Sequence, residues 1–461
     1  MNKKYLIIIA IIIILAIIGF ALFSNSNTQK GSNIDVNALE SKGNLEIDGQ
    51  SQELANALYS TDKSDVNSIL VKNGGILKLT GSFINKTGDT ATSGDDADFY
   101  GVNSAVLVKD SAQATIENCE INTNSKGSNA IFVTNTNSDS SQGGGPNEGG
   151  TSPEQDSKTD TGSNTTVANI KNVKITTYQD KSRGLDATFG GIINAENIEI
   201  NTNGGSCAAL ATDRGEGTVS VKNSILNTGV DDNKGHGSPL IYSTGNITVE
   251  DTTGTAHDGQ IACIEGKNSI TLKNCNLDCS AEGNRKDGDN YVDLGGIFIY
   301  QSMSGDADVG TSLFDCEDTT LSVKSDSQYY SASPMFHITN TKANINLKNS
   351  VFNFGSGILF DISGQNQWGN QGSNGGNVNL TAQGMSLNGD IIVDEISSLY
   401  FNLKDTTFKG AINSTGTTDI IIESGSTWEL TGDSNVTSLQ NNGNINLNGH
   451  SLYVNGVKYN G

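Results

Sequence analysis

One phrase recurs from about residue 76 to the C-terminus, and it restricts the possible folds more than any other feature. It alternates apolar and polar residues, then places Asn, Asp or Gly at a fixed point: ATIENCEINT at 114–123, ANIKNVKITT at 168–177, VSVKNSILNT at 219–228, ITLKNCNLDC at 270–279 and INLKNSVFNF at 345–354. The marker residues are Gly81, Asn118, Asn172, Asn197, Asn223, Asp251, Asn274, Asp318, Asn349, Gly384, Asp405, Gly425 and Gly449. Five consecutive markers from Asn172 are 25, 26, 28 and 23 residues apart, and the last four are 21, 20 and 24 apart. A period in this range signals a solenoid. Alternation within the unit signals strands rather than helices. The expected fold is therefore all-β, a single parallel β-helix of about 13 coils, one per marker. Neighbouring coils about 4.8 Å apart would make a stack roughly 60 Å long.

Within each phrase, Ile116, Val221, Leu272 and Leu347 are expected to point into the core, with Thr115, Ser220, Thr271 and Asn346 facing water. The marker sits where the chain turns, because Asn, Asp and Gly tolerate left-handed backbone geometry. Asn172, Asn197 and Asn223 fall on successive coils, so their amides can bond along the stack as a ladder. The aromatic content of 6% suits a narrow core of Ile, Leu, Val and Ala. There are only 4 prolines, as expected where nearly every strand N–H has a partner.

Residues 6–23, LIIIAIIIILAIIGFALF, form an uncharged run just long enough to span a bilayer as a helix. Lys3 and Lys4 precede it, which favours an N-terminus in the cytosol and the remainder outside. A cleaved signal peptide is the competing reading. The expected organisation is an N-terminal anchor over residues 1–24, a polar stalk and cap over 25–69, and the β-helix over 70–461. ELANALYS at 53–60 reads as a short helix capping the first coil. Residues 135–165 are almost devoid of apolar side chains and read as a disordered loop, and 282–293 and 364–377 are further inserts. Loops on one face of a solenoid often carry its binding function.

A net charge of −23 argues against nucleic acid and anionic lipid as partners. The membrane is then contacted through the N-terminal segment only. Cys119, Cys207, Cys263, Cys275, Cys279 and Cys316 lack zinc spacing and read mostly as small buried residues, with one bridge conceivable around 263–316. Glycosylation sequons occur at Asn85, Asn164, Asn246, Asn379, Asn413 and Asn435.

A second strand precedes each phrase, as in AIFVTN at 130–135 and GIFIYQ at 296–301. Strict alternation would place Asp186, Ser243, Glu265, Tyr300, His337, Asp361 and Asp394 on one outward column. Such a column is a candidate ligand face, although outward positions are polar by default. Tyr300, Tyr329, Tyr330 and Trp368 are candidates for stacking on sugars. DDNKGHG at 231–237 resembles the aspartate pair and Gly-His-Gly of polygalacturonases, but the three groups crowd one corner and no Arg-x-Lys follows. Arg183, Arg214 and Arg285 are the only arginines; the first two flank strands near Asp186 and Asp213, as ion pairs or as part of a sugar site. No catalytic residue is assigned and no cofactor is expected. Calcium remains possible at Asp287, Asp289 and Asp293, at Asp95, Asp96 and Asp98, or at Asp306 and Asp308.

The repeat phrases, with RGLDATFGG at 183–191, AALATDRGEG at 208–217, YQSMSGDADVGTS at 300–312 and LTGDSNVTSL at 430–439, resemble the adhesin-like right-handed parallel β-helix proteins of anaerobic bacteria and methanogenic archaea. The resemblance covers roughly residues 70–460. It implies a pectin-lyase-like fold and exposure at the cell surface, and it carries no catalytic residues over. The expected function is that of a membrane-anchored, non-catalytic surface protein contacting glycans or other cells, with Asp186, Glu265, Tyr300, His337, Asp361 and Trp368 as candidate ligand residues. A polysaccharide lyase or hydrolase, and a passive cell-wall spacer, are the alternatives.

Overall fold

A computed structural model describes residues 41–91, 94–135, 165–230, 238–281, 286–287, 290–291 and 295–460. The anchor segment at 6–23, the glycosylation site at Asn164 and the loop at 231–237 lie outside them. Each coil gives one strand to each of three long parallel sheets. Sheet A has thirteen strands, from Lys42–Asp48 to Ile412–Ser414. Sheet B has fourteen, from Ser51–Ala55 to Ser438–Asn441. Sheet C has ten, from Leu58–Thr61 to Val351–Asn353, and a four-stranded sheet from Ser386–Asn388 to Asn444–Asn446 takes over in the later coils. This is a parallel β-solenoid.

The phrase supplies the strands of sheets B and C, and the marker is the corner between them. Twelve markers, from Gly81 to Gly425, lie there, and every one has positive φ, from 44° at Asp405 to 90° at Gly425. Gly449 also has positive φ but falls one corner later in the final coil. The expected amide ladder forms in part: the Asn172 amide donates to Asn118 at 3.0 Å and the Asn197 amide to Asn172 at 3.3 Å. A second ladder runs one residue on. There the Ser224, Thr252, Thr319, Ser350 and Thr406 hydroxyls each donate to the carbonyl two residues back and accept a backbone N–H from the coil before. It satisfies donors and acceptors that the tight corner would otherwise orphan.

Sheet B alternates as read: Ile116, Val221, Leu272 and Leu347 are buried, and Thr115, Ser220, Thr271 and Asn346 face out. Its outward edge carries a column of alternating sign. From Glu117 through Lys171, Glu196, Lys222, Glu250, Lys273 and Glu317 to Lys348, each residue pairs in register with the next. Early coils fill the core with Ile, Val, Leu and Ala. Later coils bring in Phe314, Phe336, Phe360, Phe401, Phe408 and Trp428, with Phe336 and Phe360 stacked at 4.6 Å, so the later core is richer in aromatics than composition suggested.

The stretch expected to hold a capping helix is instead a full coil. Glu53–Ser60 lies in and between strands Ser51–Ala55 and Leu58–Thr61, with Asn56 at φ 54° as an unrecognised marker. Backbone pairing with the next coil overrides the local helical pattern, so the β-helix begins near residue 42 rather than 70. At the far end, Leu452–Val454 pairs antiparallel with Val457–Lys458 across Asn455-Gly456, both at positive φ. That hairpin closes one open edge. All six cysteines are buried, and burial pushes the Cys207, Cys279 and Cys316 thiols up to about 12.

Candidate functional site

Inserts occur at only two of the three corners. Residues 135–166, 301–310 and 363–375 leave sheet A toward sheet B, and 87–105, 229–240, 280–296 and 324–335 arrive at sheet A from sheet C. The outer face of sheet A is therefore bordered by long segments on both sides. Part of it is roofed. Helix α1, Gly94–Tyr100, covers the early coils: Tyr100 stacks on Phe189 at 5.4 Å and the Thr188 hydroxyl donates to the Phe99 carbonyl at 2.9 Å. This burial on both faces explains the continuous apolar strings IFVT and IFIY.

The seven residues expected on one column do not share it. Asp186, His337 and Asp361 fall in one register position; Glu265 and Tyr300 fall in the neighbouring one, with Asp394 beyond the ladder end. Ser243 pairs with core residue Ile264 and points inward. Nor do these side chains present an open surface: Asp186 is 0%, His337 1%, Glu265 2%, Tyr300 4% and Trp368 6% exposed. Alternation was the wrong template because the outward positions lie under inserts.

Three clusters result. In the first, Arg183 sits among three carboxylates: Asp98 of α1 at 3.0 Å, Asp213 at 2.9 Å and Asp186 at 3.7 Å. Lys181 also pairs with Asp98, at 3.0 Å. Burial, then the negative Asp213, holds the Asp186 carboxyl well above the usual range. Burial raises Asp213 to about 6 despite Arg183. The Asp186 oxygens make no well-formed hydrogen bond among the described residues, which leaves burial unopposed except by the Arg183 guanidinium at 3.7 Å. In the second, Glu265 accepts from the Tyr242 hydroxyl at 2.8 Å and from the Ser302 hydroxyl and N–H. The Ser302 hydroxyl oxygen accepts the Ser304 N–H at 3.0 Å, the Ser304 hydroxyl donates to Asp306, and Asp306 pairs with Arg214 at 2.8 Å; Arg214 in turn lies 4.1 Å over the Phe99 ring. In the third, His337 Nε2 lies 2.7 Å from the Gln365 amide nitrogen, and His337 Nδ1 faces Asp361 at 3.5 Å. Burial opposes ionisation of Asp361, yet His337 holds its carboxyl below the usual range. Phe298, Tyr300 and Trp368 pack beside it with ring centroids 4.5–5.4 Å apart.

The structure thus brings together Tyr300, Trp368, His337 and Asp361, with Glu265 one strand from Tyr300, and leaves Asp186 three strands further on. Sequence reasoning missed Asp98, Tyr242, Ser302 and Gln365 as members of these clusters. Of the calcium candidates, Asp98 and Asp306 are taken up by arginine, and Asp308 pairs with Lys267 at 3.0 Å. Asp287 contributes backbone to a short antiparallel pair, and Asp289 and Asp293 lie outside the described residues. Among the described residues no group of three His, Cys, Asp or Glu side chains is arranged to hold a metal ion. Comparison with protein-family models, curated proteins and solved structures gives no match to this chain.

Proposed function

We propose that this chain is a surface-exposed, non-catalytic β-helix whose insert-bordered side contacts glycans or the surfaces of other cells. The observation that carries this reading is the placement of the inserts. They flank sheet A on both sides and leave the third corner tight in every coil, the pattern of a solenoid that uses one side for recognition. The buried clusters support it by holding segments in place: Asp98 ties α1 down, Ser302 ties the 301–310 loop, and Gln365 ties the 363–375 loop. Contact would then be made by loop tops such as Met303 and Val309, 59% and 71% exposed, rather than by the buried Tyr300 and Trp368. An anchor at residues 6–23 would hold the protein on the outer face of the membrane, and the resemblance to adhesin-like β-helix proteins implies right-handed winding. The test is glycan-array binding by the full chain, with and without calcium, beside an assay for new reducing ends or unsaturated products. Saturable binding without product supports the reading; product formation overturns it.

One observation favours the polysaccharide-active alternative. Asp186 and Asp213 come from adjacent coils beside one arginine, and burial raises both carboxyls; carboxyl pairs held in unlike environments are how acid and base work is divided. Their burial beneath α1 opposes it, since a glycan would have to displace the helix to reach them.

A further inference from the structure

The charge column on sheet B has a property beyond strand register. Within one chain, alternation keeps like charges from stacking about 4.8 Å apart, where they would repel. Ion pairs close at Lys171–Glu196 (3.2 Å), Lys222–Glu250 (3.4 Å) and Glu317–Lys348 (2.5 Å), yet these lysine side chains remain 48%, 51% and 47% exposed. The column sums to zero, four Glu and four Lys, on a molecule of net charge −23. Two copies repel one another over most of their surface, and this stripe is a face on which they can approach. A shallow groove of about 440 Å³ runs along it, lined by Asn169, Lys171, Asn194, Glu196, Lys222 and Glu250 among others.

Symmetry then sets the orientation. The column has an even number of members and strict alternation, so reversing it places Glu opposite Lys at every position. We propose that the outer face of sheet B is a self-association surface on which a second copy docks antiparallel, about a two-fold axis passing between Lys222 and Glu250. Such an isologous contact sets Lys222 against the partner's Glu250 and Glu117 against the partner's Lys348. A parallel, in-register dimer would set Glu on Glu and is excluded by repulsion. The contact uses no residue of sheet A, so it stands or falls independently of the glycan reading.

The test is a charge-inverted full chain, in which Glu117, Glu196, Glu250 and Glu317 become Lys and Lys171, Lys222, Lys273 and Lys348 become Glu. Inversion preserves the alternation inside the chain, and circular dichroism checks that the strand content is unchanged. Sedimentation in detergent, at low and high salt, measures self-association, and fluorescence transfer between differently labelled chains measures mixing. Wild type and inverted chain should each dimerise, roughly tenfold or more weakly at high salt. They should not mix in the antiparallel arrangement, where each would present like charge to the other, so a label near residue 117 of one should show no transfer to a label near residue 348 of the other. A monomeric wild type at low salt, or such antiparallel mixing of the two, overturns the proposal.

Discussion

At the residue scale, chemistry is dictated by backbone geometry. The marker positions were legible because only a few side chains tolerate positive φ without strain. Asn172 shows the consequence: at φ 54° it also carries two ladder bonds. Asn172→Ala should cost about 1–2 kcal/mol, and Asn172→Gly less than about 1, because glycine keeps the backbone geometry and loses only the ladder; denaturant midpoints measure both. Lys86 was not legible. It occupies an inward position that is Thr123 and Thr177 in the next two coils, and its ammonium donates to the Lys63 and Gly88 carbonyls. Burial lowers it to about 8. At this group the folded state binds fewer protons than the unfolded chain between about pH 8 and 10.5, so Lys86 by itself contributes stability that grows with pH, by roughly 2–3 kcal/mol, against the opposite slope of the raised Cys207, Cys279 and Cys316 thiols. The difference between wild type and Lys86→Met in thermal melts at several pH values should show that rise.

At the scale of elements, strands of sheet B could be read from alternation because one face meets water. Those of sheet A could not, because α1 and the loops cover their second face. The missed first coil has the same origin: Glu53–Ser60 has a helical look, and pairing with the coil above wins. The Asn-Gly hairpin at 455–456 was a signal in plain view. Helix α1 is tied down chiefly through Asp98 and Arg183, so Arg183→Met should leave Asp98 and Asp213 without their buried counter-charge, at about 3–5 kcal/mol, and loosen α1 in hydrogen exchange. Asp186 runs opposite to an ordinary carboxylate. Its folded pKa is raised, so its contribution is present at low pH and is lost as pH rises through the folded value. Asp186→Asn should therefore stabilise the protein by about 1 kcal/mol at pH 8 and do little at pH 4; the reverse ranking would mean that the carboxyl is ionised in the fold.

At the scale of the whole molecule, the coils between residues 42 and 458 form a one-dimensional stack in which each contacts mainly its neighbours. Stability in such a chain is a sum of unit and interface contributions, and opening begins at the ends. The buried cysteines report on this, since they fall from Cys119 to Cys316 and none is near either end. A thiol reagent should leave the native protein unmodified, and rising denaturant should free Cys119 no later than Cys263 and Cys275. Simultaneous reaction of all six would instead indicate one cooperative unit. Among the described coils the corner between sheets B and C admits at most one extra residue, at 424–426, while its two fellows admit long inserts. The molecule is therefore graduated like a ruler. A segment spliced into one coil is displaced from its counterpart in another by a whole number of steps of about 4.8 Å. Two binding groups placed on chosen coils would be held at a separation read directly from the coil count.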